Sequence, residues 1–194
     1  MRLVTEATVD HPESWTPEQA SRVAAVFDEL AGGWDERFGA GGHVEPLLDA
    51  LDRGGVTADE VSTVVEVGSG TGAATVVLAQ RFRRVVAVDL SFEMLRRSPP
   101  STGLRLQADG AQLPVPDGFA DAVVLLNAFL FPAEVDRVLA PAGAVVWVSS
   151  IGARTPIHLP PDRVAAALPG AWDGVASEAG AGSWCVLRRR TSTG

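Results

Sequence analysis

Short apolar runs alternate with helical patterns through the middle of the chain. Four runs rich in valine, leucine and alanine predict buried strands, at 64–67, 85–88, 104–108 and 121–126. Helical patterns over 73–82 and 91–97 separate the first three runs. Short strands that alternate with helices predict parallel pairing through right-handed crossovers. The pattern therefore predicts an α/β fold that is doubly wound and mostly parallel.

The pattern before the first strand predicts helices and an arm. Residues 1–15 show no clean periodicity and predict a loose arm. Thr16-Pro17 is typical of a helix start, and this helix is expected to continue to about Leu30. A second helix is predicted over 44–51.

The last third of the chain adds three strands to the predicted sheet. The expected elements are a helix over 133–139, a strand over 144–149, a short helix over 162–168, and strands over 172–177 and 184–188. The last two strands predict an antiparallel C-terminal hairpin at the edge of a seven-stranded sheet. No repeat and no second domain is visible, so residues 1–194 are predicted to form one domain. Residues 1–43 would form its N-terminal arm and helices, and 44–194 its core.

Three glycines alternate directly after the first predicted strand. Gly68, Gly70 and Gly72 lead into the helix that begins at Ala73. Glycine permits a tight bend and a close approach of a ligand to the backbone. The helix start adds unpaired N–H groups that attract a carboxylate or a phosphate. The segment predicts a ligand-binding turn, although Gly68, Gly70 and Ala73 also fit the dinucleotide pattern G-x-G-x-x-G/A.

Polar residues follow the strands at the point where each one ends. Glu66 lies near the end of the first strand, Asp89 ends the second, Asp109-Gly110 follows the third and Asn127 follows the fourth. Ligands bind at the carboxyl edge of an open α/β sheet. These side chains are therefore expected to share one site.

Four segments occur in order between about Val61 and Ser149: E-V-G-S-G-T-G, V-A-V-D-L-S, A-D-G-A-Q-L-P-V-P-D-G-F-A-D-A-V-V and V-L-A-P-A-G. Together they resemble the class I S-adenosylmethionine (SAM)-dependent methyltransferases, in particular the small-molecule branch near the ubiquinone-biosynthesis methyltransferases. The resemblance implies a Rossmann-like fold, SAM as cofactor and methyl transfer as the activity. A nicotinamide enzyme is not expected to carry the Asp109-Gly110 pair or the run that follows it.

The resemblance assigns one part of the cofactor to each strand end. Asp89 is expected to accept hydrogen bonds from both ribose hydroxyls, and Leu90 to pack on the adenine. Asp109 and the N–H of Gly110 are expected to meet the adenine edge. The amino-acid part would lie across the glycine turn, with Glu66 orienting the turn or meeting the ammonium. The predicted cofactor-binding residues are Glu66, Gly68, Ser69, Gly70, Gly72, Asp89, Leu90, Asp109, Gly110 and Asn127.

The sequence indicates the residues that would bind the methyl acceptor less clearly than those that would bind the cofactor. The methyl group of SAM is already activated, so the protein mainly has to align the reactants and exclude water, and a base is optional. His158, in the loop after the fifth strand, is the predicted catalytic residue, with a purely structural histidine as the alternative. Trp34, Phe129 and Phe131 are predicted to line the acceptor pocket, although Trp34 would serve equally as a core anchor.

Two features bear on access to that pocket. The segment from Phe27 to Asp35 is similar to the family's lid, so the resemblance implies that residues 1–43 include an N-terminal helical lid. The glycine-rich stretch 39–42 would let this lid move. The stretch from Asn127 to Pro141 is short against typical relatives, which predicts a pocket that is open or is completed by the second subunit of a homodimer.

The composition limits the classes of molecule that the protein is expected to bind. The net charge of −8 argues against nucleic acid, which needs clustered cations, and with the apolar loop over 129–131 it favours a small-molecule acceptor. No segment is apolar enough for a membrane span or a signal peptide, so a cytoplasmic protein without membrane contact is expected. The single cysteine, Cys185, excludes an internal disulfide, and no metal site is predicted.

Two other functions fit the same residues. One is a SAM-binding protein without transfer activity, such as a regulatory subunit. The other is a nicotinamide-dependent reductase, which the dinucleotide-like glycine spacing allows.

Overall fold

The structure, a computed structural model, describes residues 1–38, 44–100 and 103–190. The helices there are α1 (Arg2–Asp10), α2 (Pro17–Leu30), α3 (Trp34–Phe38), α4 (Glu45–Arg53), α5 (Ala73–Arg81), α6 (Phe92–Arg97), α7 (Pro132–Val138) and α8 (Pro161–Ala167). The strands are β1 (Thr63–Val67), β2 (Arg84–Asp89), β3 (Leu104–Gln107), β4 (Ala120–Leu126), β5 (Leu139–Ser149), β6 (Trp172–Ala179) and β7 (Gly182–Arg189). The glycine-rich stretch 39–42 and His43 lie outside the described residues.

One sheet carries all seven strands, in the order β3-β2-β1-β4-β5-β7-β6. The pairs from β3 to β5 are parallel, whereas β7 pairs antiparallel with both β5 and β6. The predicted mostly parallel sheet and its antiparallel C-terminal hairpin are therefore confirmed.

Alternate residues of the strands face two separate hydrophobic clusters. In β1, Val64 packs with α4 and α5 on one face, and Val65 packs with α7 and α8 on the other. Every residue of β1 is buried, which explains why the strand reads as a continuous apolar run interrupted only by Glu66. Helices cover both faces of the sheet, so the doubly wound architecture is also confirmed.

The strand order reverses at β1, which has β2 on one side and β4 on the other. Because β1 to β4 run in the same direction, the segments that follow them emerge at one edge of the sheet. Such a reversal point is where open α/β sheets bind their ligands.

The N-terminal segment differs from the prediction. Residues 1–15 are not a loose arm, because Arg2–Asp10 forms α1 and a 3₁₀ turn follows at Pro12–Ser14. The buried positions of α1 are Thr5 and Thr8, and the Thr8 hydroxyl donates to the carbonyl of Thr5. Hydroxyl groups satisfied within the helix replace apolar side chains here, so the apolar periodicity is weak.

The start of the second helix follows the prediction. Thr16 caps α2 by accepting a hydrogen bond from the N–H of Gln19, and Pro17 occupies the first turn. Val23 is buried, whereas Val26 is exposed. Among the described residues, no helix has both the length and the apolar character needed to cross a bilayer.

Candidate functional site

A cavity of about 320 Å³ lies between the carboxyl edge of the sheet and the N-terminal segment. Ligand pockets start at roughly 300 Å³, so the cavity is large enough for one small ligand. It brings together twelve of the residues predicted from the sequence: Trp34, Glu66, Gly68, Ser69, Gly70, Asp89, Leu90, Asp109, Gly110, Asn127, Phe129 and Phe131. The N-terminal segment adds Met1, Trp15, Val23, Phe27 and Leu30 to its walls. Gly72 and His158 do not line it.

Glu66 is a buried carboxyl group on the central strand. Its side chain is 1% exposed and borders the cavity. Burial raises the pKa of Glu66 from 4.5 to about 8, the nearby Thr75 hydroxyl opposes this rise, and the charge of Asp89 adds to it. Within the described residues, three buried side-chain atoms have no hydrogen-bond partner: Oε2 of Glu66, Oγ of Ser69 and Oγ1 of Thr75. Of these residues, Glu66 and Ser69 line the cavity. Orphaned polar atoms beside a cavity are groups that a polar ligand would satisfy.

The raised pKa makes stability depend on pH in a defined direction. The folded protein keeps a proton on Glu66 that the unfolded chain releases above pH 4.5, so the free energy of unfolding falls as pH rises from 4.5 towards about 8. Glu66→Gln removes this dependence. Its stability relative to wild type should therefore rise with pH, by up to about 1.4 kcal/mol per unit. Urea unfolding at about pH 5, 6.5 and 8 measures the difference, and a pH-independent difference would contradict the assignment.

The three glycines of the turn have different surroundings. All three have positive φ, between 55° and 88°. A Cβ on Gly68 would lie 2.7 Å from the Cβ of Ala128, whereas one on Gly70 would meet nothing within 4 Å. Gly70 is thus the position at which the backbone faces open space.

Gly72 has a structural role rather than a place in the cavity wall. It is buried, precedes α5 as its N-cap, and donates its N–H to the carbonyl of Ser69. A Cβ there would lie 2.3 Å from Oγ of Ser98, so glycine is needed for packing against the segment after α6. The regular spacing of the three glycines did not distinguish this role.

Asp89 ends β2 and holds the glycine turn. Its Oδ2 accepts a hydrogen bond from the N–H of Gly70 at 2.7 Å, and its Oδ1 accepts from the N–H of Ser91 at 2.8 Å. Burial raises the pKa of Asp89, the bonds from Ser91 and Gly70 lower it, and the charge of Asp28 raises it. Each carboxylate oxygen retains a second lone-pair position, so Asp89 can accept further hydrogen bonds from a ligand.

Asp109 contacts a residue that the sequence did not indicate. The indole Nε1 of Trp15 donates to both of its carboxylate oxygens, at 3.0 and 2.9 Å, and the N–H of Ala111 donates to Oδ1 at 2.8 Å. Trp15 also packs against Phe129 and Phe131. Sequence reasoning missed Trp15 because the segment that carries it was interpreted as a loose arm.

Two more lid side chains bond to loops at the same edge. Asp28 of α2 accepts hydrogen bonds from the Ser91 hydroxyl and, at 3.1 Å, from the N–H of Glu93, at the start of α6. The Thr71 hydroxyl donates to Asp35 of α3 at 2.8 Å. Together with Trp15, these contacts, which we call the three lid tethers, reach the loops after β3, β2 and β1.

Asn127 follows β4 with a φ of 53°, a left-handed conformation that asparagine tolerates better than most residues. Its side-chain amide bonds to Ser150, donating to Oγ and accepting from the backbone N–H, both at 2.8 Å. Asn127 therefore joins the ends of β4 and β5. A ligand contact from this residue depends on its backbone carbonyl.

The predicted acceptor and catalytic residues separate in space. Phe129 and Phe131 line the cavity, and Trp34 lies there with its ring 6.0 Å from that of Phe27. Leu130, by contrast, is fully buried in the core. His158 is half-buried outside the cavity wall, with Nδ1 2.9 Å from Oγ of Ser149. Burial lowers its pKa, and the charge of Arg2 lowers it further.

A comparison with protein families agrees with this geometry. The family described as "Methyltransferase domain" matches residues 65–147, the stretch from β1 to β5 that includes most of the cavity's loops. The match supports the resemblance of this segment to the SAM-dependent methyltransferases. The resemblance inferred from the four ordered segments is confirmed. The comparison with curated proteins gave no match.

Solved structures share the methyltransferase fold. A Haloferax volcanii protein in complex with the methyltransferase activator Trm112 is 26% identical, with a TM-score of 0.51 over 63% of this chain and 59% of its own length. This chain thus spans less than two thirds of that relative. SAM-dependent methyltransferases from Aquifex aeolicus and Thermotoga maritima are 17% and 15% identical, with TM-scores of 0.63 and 0.65. They cover 83% and 86% of this chain, and 97% and 99% of their own lengths.

The cavity suits the chemistry of SAM. Orphaned Glu66 Oε2 and Ser69 Oγ lie beside the glycine turn, where the amino-acid part would be placed. Gly70 leaves open space, and Asp89 has free acceptor capacity. Within the described residues, no cluster of three or more His, Cys, Asp or Glu could hold a metal.

Proposed function

We propose that the protein binds SAM in this cavity and transfers its methyl group to a small-molecule acceptor by in-line displacement. The observation that supports the proposal best is that Glu66, Asp89 and Asp109, from three separate strand ends, border one cavity. When bound, SAM supplies an electrophilic methyl group on its sulfonium.

The nucleoside half of the cofactor would lie between β2 and β3. Asp89 would accept hydrogen bonds from the two ribose hydroxyls while it holds Gly70 and Ser91. Asp109 would accept from the adenine amino group, and the N–H of Gly110 would donate to a ring nitrogen. Leu90, which packs with the aromatic cluster under the lid, would cover one face of the adenine.

The amino-acid half would lie over β1. Gly70 presents open space and Ser69 an unpaired hydroxyl to a carboxylate. Glu66, protonated near neutral pH because it is buried, would release its proton to solvent as an ammonium approaches. A charged Glu66 paired with an ammonium costs far less than an unpaired buried carboxylate.

The acceptor would bind against the apolar walls of the cavity. Phe27, Trp34 and Phe129 present apolar surface, and Ile157 closes the same cluster. These side chains exclude water and restrict the orientation of a small acceptor, which is the main contribution a methyltransferase needs from its protein.

A binding protein without transfer activity is the second candidate. It is favoured by the position of His158, which bonds to Ser149 instead of lining the cavity. The two functions predict the same cofactor affinity and differ only in turnover.

Calorimetry with SAM, S-adenosylhomocysteine and NADH tests the cofactor. We expect micromolar binding of both adenosyl ligands and no binding of NADH, because the carboxylates of Asp89 and Asp109 beside the cavity oppose a pyrophosphate. Binding of NADH without SAM would overturn the proposal in favour of a reductase. Methyl transfer from labelled SAM to an acceptor panel then separates the enzyme from the non-catalytic binding protein.

A further inference from the structure

Trp15 links the N-terminal segment to the loop after β3. Its indole N–H is shared between both carboxylate oxygens of Asp109, at 3.0 and 2.9 Å, and Ala111 fixes Oδ1 through its backbone N–H. These donors hold the orientation of the carboxylate. Oδ1 therefore already accepts two hydrogen bonds, and Oδ2 keeps one lone-pair position for another donor.

The position of the indole is itself fixed by packing. Its ring centroid lies 5.0 Å from that of Phe131, nearly edge-on, and 5.7 Å from that of Phe129. Both distances and angles are in the favourable range for aromatic pairs. An indole held by two rings and a charged hydrogen bond has little freedom to leave Asp109.

Trp15 also lies between the cavity and a second, open groove. Trp15 and Asp109 border the cavity on one side and a solvent-open groove on the other, which Pro17, Leu113 and Pro114 continue. The indole and the Asp109 carboxylate thus lie together between the cavity and the groove. On the cavity side, a hydrogen bond to Asp109 is shielded from water better than one on an exposed surface.

We propose that Trp15 is a positioning residue that makes the cavity selective for adenine. This inference rests on the proposed binding of SAM with its adenine at Asp109. Trp15 orients the Asp109 carboxylate towards the amino group of the base and closes that end of the cavity. A hypoxanthine base reverses the donor and acceptor pattern, so an oriented carboxylate would reject it.

Trp15→Phe separates the hydrogen bond from the packing, because phenylalanine keeps an aromatic ring and removes the N–H. The ligands are S-adenosylhomocysteine and S-inosylhomocysteine, measured by calorimetry. Wild type should prefer the adenosine ligand. In Trp15→Phe, affinity for the adenosine ligand should fall about tenfold, as for the loss of a hydrogen bond to a charged group. Affinity for the inosine ligand should change little, so the preference for the adenosine ligand over the inosine ligand should fall by the same factor.

Trp172→Phe is the matched control. Trp172 is a buried tryptophan on β6 whose Nε1 donates to the carbonyl of Pro169 at 2.8 Å, away from the cavity. This variant should keep both affinities and the selectivity of wild type. Thermal unfolding of the variants verifies that each is folded.

The outcomes are distinct. If Trp15→Phe loses the same affinity for both ligands, Trp15 has only a structural role. If neither affinity changes, Trp15 has no role in ligand binding. Tighter binding would mean that the indole competes with the base. If wild type binds S-adenosylhomocysteine, each of these results contradicts the inference about Trp15 and leaves the proposed function intact. Wild type that binds neither ligand contradicts the proposed function and this inference with it.

Discussion

Replacing Asp89 by alanine should weaken SAM binding by about 100-fold or more and leave the protein folded. The change removes a charged acceptor for two ribose hydroxyls, worth about 1.5–3 kcal/mol per hydrogen bond. It also frees the N–H groups of Gly70 and Ser91, so the glycine turn loses its anchor. Because burial raises the pKa of Asp89, its charge is costly in the fold, and removing it offsets part of the stability lost.

Calorimetry with SAM measures the loss, and urea unfolding measures the stability. Asp173→Ala is the control, since Asp173 lies on the edge strand β6 and pairs with Arg190 on the surface. That variant should bind SAM as wild type does. Normal binding by Asp89→Ala would show that the cofactor lies elsewhere.

Gly70→Val should abolish SAM binding for a different reason. Gly70 has a φ of 55°, and a Cβ there would point into open space beside Asp89. A β-branched side chain would occupy the volume that the carboxylate of the cofactor needs. The left-handed backbone conformation adds roughly 1–3 kcal/mol of strain for a residue other than glycine.

Gly118→Val separates the strain from the occupied volume. Gly118 has a φ of 64°, and its Cβ would also meet nothing within 4 Å, but it does not line the cavity. Both variants should lose a similar amount of stability in urea unfolding. Only Gly70→Val should lose binding in calorimetry, and equal binding by the two would place the cofactor away from the turn.

The sheet and the site at its edge could be predicted because their signals are local. Strands such as β1 and β4 are buried on both faces, so they read as continuous apolar runs. The polar residues that follow them stand out against those runs. Parallel pairing then brings Asp89 and Asp109 to one edge without any further information.

The cover of the site could not be predicted, because its contacts are between distant parts of the chain. The hydrogen bond between Trp15 and Asp109 spans 94 residues and leaves no periodic pattern. Helix α1 buries Thr5 and Thr8, which look like surface residues in a sequence.

Two of the predicted site residues lie outside the cavity wall. Gly72 repeats the spacing of Gly68 and Gly70, yet its missing Cβ accommodates Ser98. His158 follows β5 on the expected edge, but its ring is bonded to Ser149 and does not reach the cavity wall. The direction in which a side chain points depends on its packing in the fold, and the spacing of residues along the sequence does not determine that packing.

The three lid tethers have a consequence for protein engineering. Trp15, Asp28 and Asp35 each depend on one loop of the sheet, so the amino-terminal fifth of the chain and the sheet are matched to one another. Transplanting this sheet beneath a foreign lid would leave Asp109, Ser91 and Thr71 without their native partners. A chimera should therefore exchange these matched side chains as pairs, rather than join the two parts at a convenient boundary.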